Sequence, residues 1–514
     1  MDSHGPVLVG VGPLTPGQVL RVARSGAAVG LSDQAVSAMA STRAHIEALA
    51  RDFGPVYGVS TGFGALATRH IPPELRAQLQ RSLIRSHAAG SGPEVEREVV
   101  RAMMLLRLAT LATGRTGARP AVAHTYAALL SAGITPVVPE FGSLGCSGDL
   151  APLAHTALAV TGEGLVRDAA GEQLPAADAL AAAGIYPLVL EEKEGLALIN
   201  GTDGMLGMLV LACDDLRRLL PLADITAAMS VEGLMGTDRV FAADLQALRP
   251  HPGQAAAAAN MVRLLAGSEI VASHATPTAL GPGRLLAAVR ATGRGRCPGH
   301  PRARRTGRGV RARECHRQPG GDPRRPGRVE RQLSRRTGGI RAGLPRHRRR
   351  GCGGHERTPN RSVPRHRAQP RPAPVPGRRP GVDSGHMIAQ YTQAAIVSEL
   401  KRLASPASVD SIPSSAMQED HVSMGWSAAR KLRRSIDGLT RVLAIEALTA
   451  ARGLDLRAPL RPSPATAAVR DAIRARVGGP GPDRFLAPEI GAAVELAASG
   501  ALLRSAEMVV GDLA

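Results

Sequence analysis

The chain has 514 residues and a formal net charge of +21, but the charge is concentrated: residues 281–380 hold 29 Arg, no Lys and four acids, a net +25 that leaves the remainder at −4. A basic surface spread over the whole fold, the usual footprint of a nucleic-acid binder, is therefore excluded, and the remainder is a mildly acidic, Ala- and Leu-rich globular chain. Five cysteines without paired spacing argue against a disulfide-framed secreted scaffold, and the N-terminus lacks the basic and apolar regions of a signal peptide, so the expected compartment is the cytoplasm.

In chain order, the first notable segment is Val56-Tyr57-Gly58-Val59-Ser60-Thr61-Gly62-Phe63-Gly64, a glycine-rich loop around one phenol. A phenol ionises near about 10, so Tyr57 needs neighbouring positive charge or hydrogen bonds to act as a base near neutrality. Pro72-Pro73 then open a helical pattern running to Ser86-His87-Ala88-Ala89-Gly90, with Gly90 where a left-handed cap would sit. Val95, Val99, Met103, Leu106 and Thr110 recur at spacings of four or three, which predicts a second helix ended by Gly114.

The string Gly142-Ser143-Leu144-Gly145-Cys146-Ser147-Gly148-Asp149-Leu150-Ala151-Pro152-Leu153 follows. Side chains supply nucleophiles, acids and bases but no good electrophile, so removing an amine normally requires a cofactor. A Ser-Gly pair offers another route. Gly148 has no Cβ to block attack of its amide nitrogen on the Cys146 carbonyl, and loss of water from Ser147 then leaves an exocyclic methylene. Taken alone, Ser-Gly is ordinarily a turn.

Leu198-Ile199-Asn200-Gly201-Thr202 presents an amide donor and acceptor. The apolar run Met205 to Cys213 ends at Asp214-Asp215, short of the roughly 20 residues that span a bilayer, and predicts a core helix continuing to Leu220. Helical texture returns from Ile388 to Ala404, and the polar string Met417-Gln418-Glu419-Asp420-His421-Val422-Ser423-Met424 follows. Alternating β-branched runs are few. The expected fold is mainly α, a long-helix bundle subunit with a loop-rich N-terminal active-site half. Its divisions are an active-site domain at 1–200, a central helical bundle at 201–475 interrupted at about 281–380, and a helical tail at 476–514.

These strings resemble the aromatic amino acid ammonia-lyase family, and within it the histidine-specific branch, over residues 1 to about 275 and about 380 to 514. Ala is commonest in the family where Cys146 stands; this residue lends only its carbonyl carbon to the ring, so the departure should tune the pocket. The resemblance implies a 4-methylidene-imidazol-5-one group formed autocatalytically from Cys146, Ser147 and Gly148, with no external cofactor and no metal. His155 and His421 are accordingly structural. It implies Tyr57 as the base for the β-proton and Asn200 as the contact for the substrate amine. His87, Gln418 and Glu419 would read an imidazole, giving elimination of ammonia from L-histidine to yield urocanate. A homotetramer acting on a small amino acid, without nucleic acid or membrane as partner, is implied likewise. Three rivals remain: a tyrosine or phenylalanine ammonia-lyase or aminomutase, a nucleic-acid binder using residues 281–380, and an inactive pseudoenzyme.

In residues 281–380, Arg, Gly and Pro supply 60 of 100 positions and aromatic residues are absent, a composition that cannot bury a core. The family's strings near VQDAYSLRCxPQ and SNGNFHG are missing. Codons for Gly281 to Thr292, read one nucleotide later, permit VQDAYSLRCAPQ, and those for Glu314 to Arg335 permit SATDNPVVTPDGRVESNGNFHG. One fixed offset over both stretches points to a shifted reading frame that recovers near Pro380. The family's second active-site tyrosine then falls across the Leu285 codon and its carboxylate-binding arginine across the Ala288 codon. The polypeptide as written is expected to be misfolded or inactive.

Overall fold

The computed structural model describes residues 5–51, 56, 58–63, 68–146, 148–274, 382–417 and 419–514. Tyr57, Ser147, Gln418 and the whole of 281–380 lie outside the described residues. The described chain is mainly helical, as expected, with short strands confined to small two- and three-stranded sheets.

Two compact units emerge. One comprises Met1–Asp215 with Pro406–Arg434, the other Leu216–Ser405 with Ser435–Ala514. This division is discontinuous, unlike the linear one at 200 and 475. Pro406–Arg434 returns to the unit that holds the triplet, so Cys146 and Glu419 belong to one body.

The first unit is built around the helix Arg97–Ala112. Of the predicted stripe, Val95, Val99 and Met103 are buried but Leu106 and Thr110 are only half-buried, whereas Val100, Met104, Leu105, Leu108 and Leu111 are buried as well. The helices Pro16–Ala23, Asp33–Arg51 and Pro120–Ser131 all pack against it, and an enclosed helix has no single apolar face. It stops where expected: Gly114 has φ +67°, and a Cβ there would lie 2.6 Å from the Ala38 carbonyl carbon. Two arginines are sealed inside. Arg101 donates to the carbonyls of Val22 (3.0 Å) and Leu130 (3.1 Å), and burial, with Arg97 nearby, pushes its pKa down to about 10.

The helix expected after Pro72-Pro73 forms as a short turn, Pro73–Leu75, followed by Arg76–His87. Its cap is Ala88, at φ −75°, and not a left-handed Gly90. Gly90 serves a close approach instead. Its N–H donates to His155 Nε2 at 3.2 Å, and a Cβ there would sit 3.0 Å from that nitrogen. His155 is thus a packed acceptor, with its pKa lowered by burial.

The apolar run after Asn200 lies in the long helix Asp203–Gly233, where Met208, Leu211 and Ala212 are buried. Asp215 accepts from Arg24 and from Arg433, both at 2.7 Å, and Asp214 accepts from Arg24 at 2.5 Å. The opposite side of the run carries Leu206 and Leu209, 45% and 48% exposed, so only one side of the expected core helix is buried among the described residues. In the second unit, Pro464–Arg474 packs on Ala501–Val510, and buried Glu232 accepts from the Ser463 N–H at 2.7 Å and the Thr466 hydroxyl at 2.5 Å.

Candidate active site

Cys146 and Gly148 lie just before the helix Leu150–Val160. Gly148 N–H donates to Gly145 O at 3.2 Å, a short tie between the two glycines that flank this stretch. Cys146 has φ +59°, a left-handed conformation costly for a non-glycine residue and characteristic of functional turns. It is held there from the segment Pro406–Arg434: its N–H donates to Ser423 Oγ at 2.9 Å and its Sγ to His421 O at 3.4 Å. A side chain at Gly148 would be crowded. A Cβ would lie 3.1 Å from Gly201 N and Leu150 Cδ2 and 3.3 Å from Asn200 Oδ1. Asn200 therefore stands beside the triplet.

Asp149 forms the floor. Fully buried, it accepts from Ser143 Oγ at 2.8 Å and, through Oδ2, from the N–H groups of Gly204 and Met205 at 3.0 Å each. Those two N–H groups begin the helix Asp203–Gly233, so the carboxylate caps an otherwise unsatisfied helix start. The Asp149 N–H donates to Gly201 O at 2.7 Å, a second tie between triplet and Asn200 loop. Burial outweighs these bonds and pushes the Asp149 pKa up to about 6.

Arg107, only 1% exposed, secures the Asn200 loop from the central helix by donating to Asn200 O at 2.6 Å, with its guanidinium 3.4 Å from Asp203. Asn200, the C-cap of Glu194–Ile199, keeps its own side chain exposed.

The structure thus brings Cys146, Gly148 and Asn200 together. Among the described residues it does not join His87 or Glu419 to them by hydrogen bonds. His87 ends its helix with Nδ1 2.8 Å from Leu83 O and 3.1 Å from Ser86 Oγ. Glu419 is exposed and accepts from Ser414 Oγ at 2.6 Å, across a β-bridge between the same two residues. Around position 57, Val56 N–H donates to Ser60 Oγ at 2.9 Å and Gly58 has φ +75°.

Three residues of this arrangement were not singled out from sequence. Asp149 and Ser423 stand inside the quoted strings; Asp149 directly follows Gly148 and could have been flagged by that position, whereas Ser423 lies in a distant segment with no local signal. Arg107 left only the signal of a charge on a helix with apolar residues on every side.

Comparison with known proteins identifies the family. The sequence matches the aromatic amino acid lyase family over residues 14–284 and 356–475. It is 54% identical to histidine ammonia-lyase of Streptomyces avermitilis, across 99% of each chain, and 43% identical to that of Sorangium cellulosum, across 98% of this chain and 99% of the other. Among solved structures, tyrosine aminomutase from Streptomyces globisporus superposes with a TM-score of 0.77 at 29% identity, covering 99% of this chain and all of the other. Histidine ammonia-lyase from Trypanosoma cruzi gives 0.73 at 28%, covering 98% and 96%. The chain belongs to the aromatic amino acid lyase family and is a carbon–nitrogen lyase by descent.

Proposed function

We propose that this chain's reaction is elimination of ammonia from L-histidine to give urocanate, at a 4-methylidene-imidazol-5-one group closed from Cys146, Ser147 and Gly148. The observation that carries the substrate is the 54% identity, over 99% of both chains, to a protein named histidine ammonia-lyase. Two described members of the triplet support the group: Cys146 holds a left-handed conformation, Gly148 N–H bonds back to Gly145 O, and a Cβ at Gly148 would be crowded. The group supplies the electrophile that side chains lack.

The remaining work falls to side chains. Tyr57 takes the β-proton while the carbon–nitrogen bond breaks and ammonia leaves. Asn200, its carbonyl anchored by Arg107, presents its amide to the amine side. His87, Gln418 and Glu419 read the imidazole; a site built to bond a ring N–H discriminates strongly against rings without one. The second reading is a tyrosine aminomutase or lyase, favoured by the similarity to the Streptomyces globisporus enzyme. Offering L-histidine and L-tyrosine separately, and following the near-ultraviolet absorbance of the unsaturated product, distinguishes them; turnover of tyrosine alone would overturn the histidine assignment.

A cytoplasmic homotetramer is part of this reading. The helix Met387–Leu403 buries Ala389, Val397 and Leu400 but leaves Met387, Ile388 and Tyr391 exposed, which supports a subunit interface. Light scattering on the purified chain tests it.

Residues 281–380 we read as the product of a shifted frame. The family match breaks off between 284 and 356, inside that window, which supports the reading; its resumption at 356 lies upstream of the recovery near Pro380 that composition suggests. Resequencing the coding DNA is the test, and a clean read without a compensating pair of indels removes the idea. With the frame restored, turnover should far exceed that of the chain as written, because the latter lacks the family's second tyrosine and its carboxylate-binding arginine.

A further inference from the structure

In the first unit, an open cavity of about 550 Å³ lies where the start of the helix Arg97–Ala112 meets the ends of Pro16–Ala23 and Pro120–Ser131. Its volume is that of an ordinary small-ligand site. None of its lining residues belongs to the site around Cys146 and Asn200. The walls carry three arginines, Arg24, Arg97 and Arg101, and one acid, Glu98.

Glu98 is already engaged. Its two carboxylate oxygens accept from Arg24 at 2.7 Å and from Arg433, and Arg24 pairs further with Asp214 and Asp215. The other two cations are not balanced in this way. Arg97 and Arg101 stand four residues apart on one helix, where side chains are neighbours and like charges repel. Among the described residues their hydrogen-bond partners are backbone carbonyls. Arg97 Nη2 donates to Gly133 O at 3.0 Å, with Nη1 3.5 Å from Ala169 O, and Arg101 donates to Val22 O and Leu130 O. Carbonyls at helix ends carry partial charge, so each guanidinium keeps most of its own. Arg101 is 2% exposed, and its Nη1 is buried without a hydrogen-bond partner. A buried charged donor left unpaired is costly. Burial first, and then the charge of Arg97, are what hold the Arg101 pKa down at about 10.

We propose that this cavity binds a phosphate group, free or carried on a small molecule, which contacts the exposed Arg97 and is attracted by the unpaired charge of the more deeply buried Arg101. A planar guanidinium matches phosphate oxygens bidentately. A phosphate group carries close to two negative charges at neutral pH, enough to balance both arginines, whereas a single carboxylate or a chloride balances one. The helix Arg97–Ala112 also opens without a side-chain cap, so its positive end adds to the same field.

Urea unfolding of the full chain, followed by the fluorescence of Trp426 in the same unit, tests this without recourse to turnover. A ligand that binds only the folded form raises the unfolding midpoint in a saturable way. Phosphate also stabilises proteins in general by exclusion from their surface, and the arginine-rich residues 281–380 attract anions, but every variant shares both effects. Against sodium chloride at equal ionic strength, inorganic phosphate should raise the parent's midpoint saturably. That rise should be largely lost in Arg97→Gln and in Ala169→Glu, which tethers a carboxylate beside Arg97. Both positions are exposed, so neither substitution opens the core. Glycerol 3-phosphate saturating at lower concentration than inorganic phosphate assigns the site to phosphorylated small molecules; equal or weaker binding assigns it to free phosphate. A parent without a saturable rise, or equal rises in the parent, Arg97→Gln and Ala169→Glu, overturns the proposal.

Discussion

Replacing Asp149 by Asn asks whether the floor beneath the triplet is a buried carboxyl near its titration point. Burial moves this group from 3.8 to about 6, against hydrogen bonds from Met205, Ser143 and Gly204 that favour the charge. The folded chain therefore holds the proton more tightly than the unfolded chain. Stabilisation from this group is complete below about pH 4 and is lost as pH rises through about 6; between about pH 5 and about pH 8 the loss is about 1.4 kcal/mol. Asn keeps the shape: its oxygen can accept from Gly204 and Met205, and its amide can donate to Ser143 Oγ, which takes the Gly145 N–H on another lone pair. It does not titrate. Trp426, the chain's single tryptophan, is 3% exposed in the same unit, donates to Glu140 O at 2.7 Å and packs against Gly204, so its fluorescence reports unfolding there. Urea titrations followed by that fluorescence should show the parent losing stability across this pH range relative to Asp149→Asn. Equal pH slopes in the two proteins would refute the argument.

Arg107→Met should destabilise the same unit by about 3–5 kcal/mol, because it leaves the Asp203 carboxylate buried beside an apolar chain and frees Asn200 O; the same urea assay measures it. Cys146→Ala should cost under about 1 kcal/mol, since it removes one weak S–H donor and keeps the backbone conformation. It should preserve the mass loss that marks closure of the ring, whereas Ser147→Ala should abolish that loss in an intact-mass measurement. In the second unit, buried His386 accompanies Arg452, Glu489, Arg474 and Arg484, and its pKa is lowered to about 4, first by burial. Because the folded value lies below the unfolded 6.5, its contribution is present above about pH 6.5 and lost as pH falls toward about 4. Hydrogen-exchange protection factors along Met387–Leu403, taken relative to the intrinsic rate at each pH, should fall over that range in the parent and less in His386→Gln.

The helices after Pro72-Pro73 and from Val95 were legible because period and punctuation are local properties, and the mainly helical class followed from them. Faces were less legible. Leu106 was expected inside with Val99 and Met103, yet it is half-buried while Arg101 and Arg107 are sealed, because three neighbouring helices cover what a lone helix would expose. Gly90 was expected to end a helix and instead makes room for His155, a partner 65 residues away.

The cyclisation proposed for Cys146-Ser147-Gly148 was legible in the sequence, since it needs a missing Cβ at Gly148 and a hydroxyl to lose at Ser147, both properties of single residues. What holds the triplet is not written there. The approach of Ser423 to Cys146, the Asp149 cap on a helix beginning 54 residues later, and the Arg107 anchor under Asn200 each join segments far apart along the chain. Local sequence encodes reactivity and helix period, but the free energy that places a buried carboxylate against helix N–H groups exists only once tertiary packing has removed water from both.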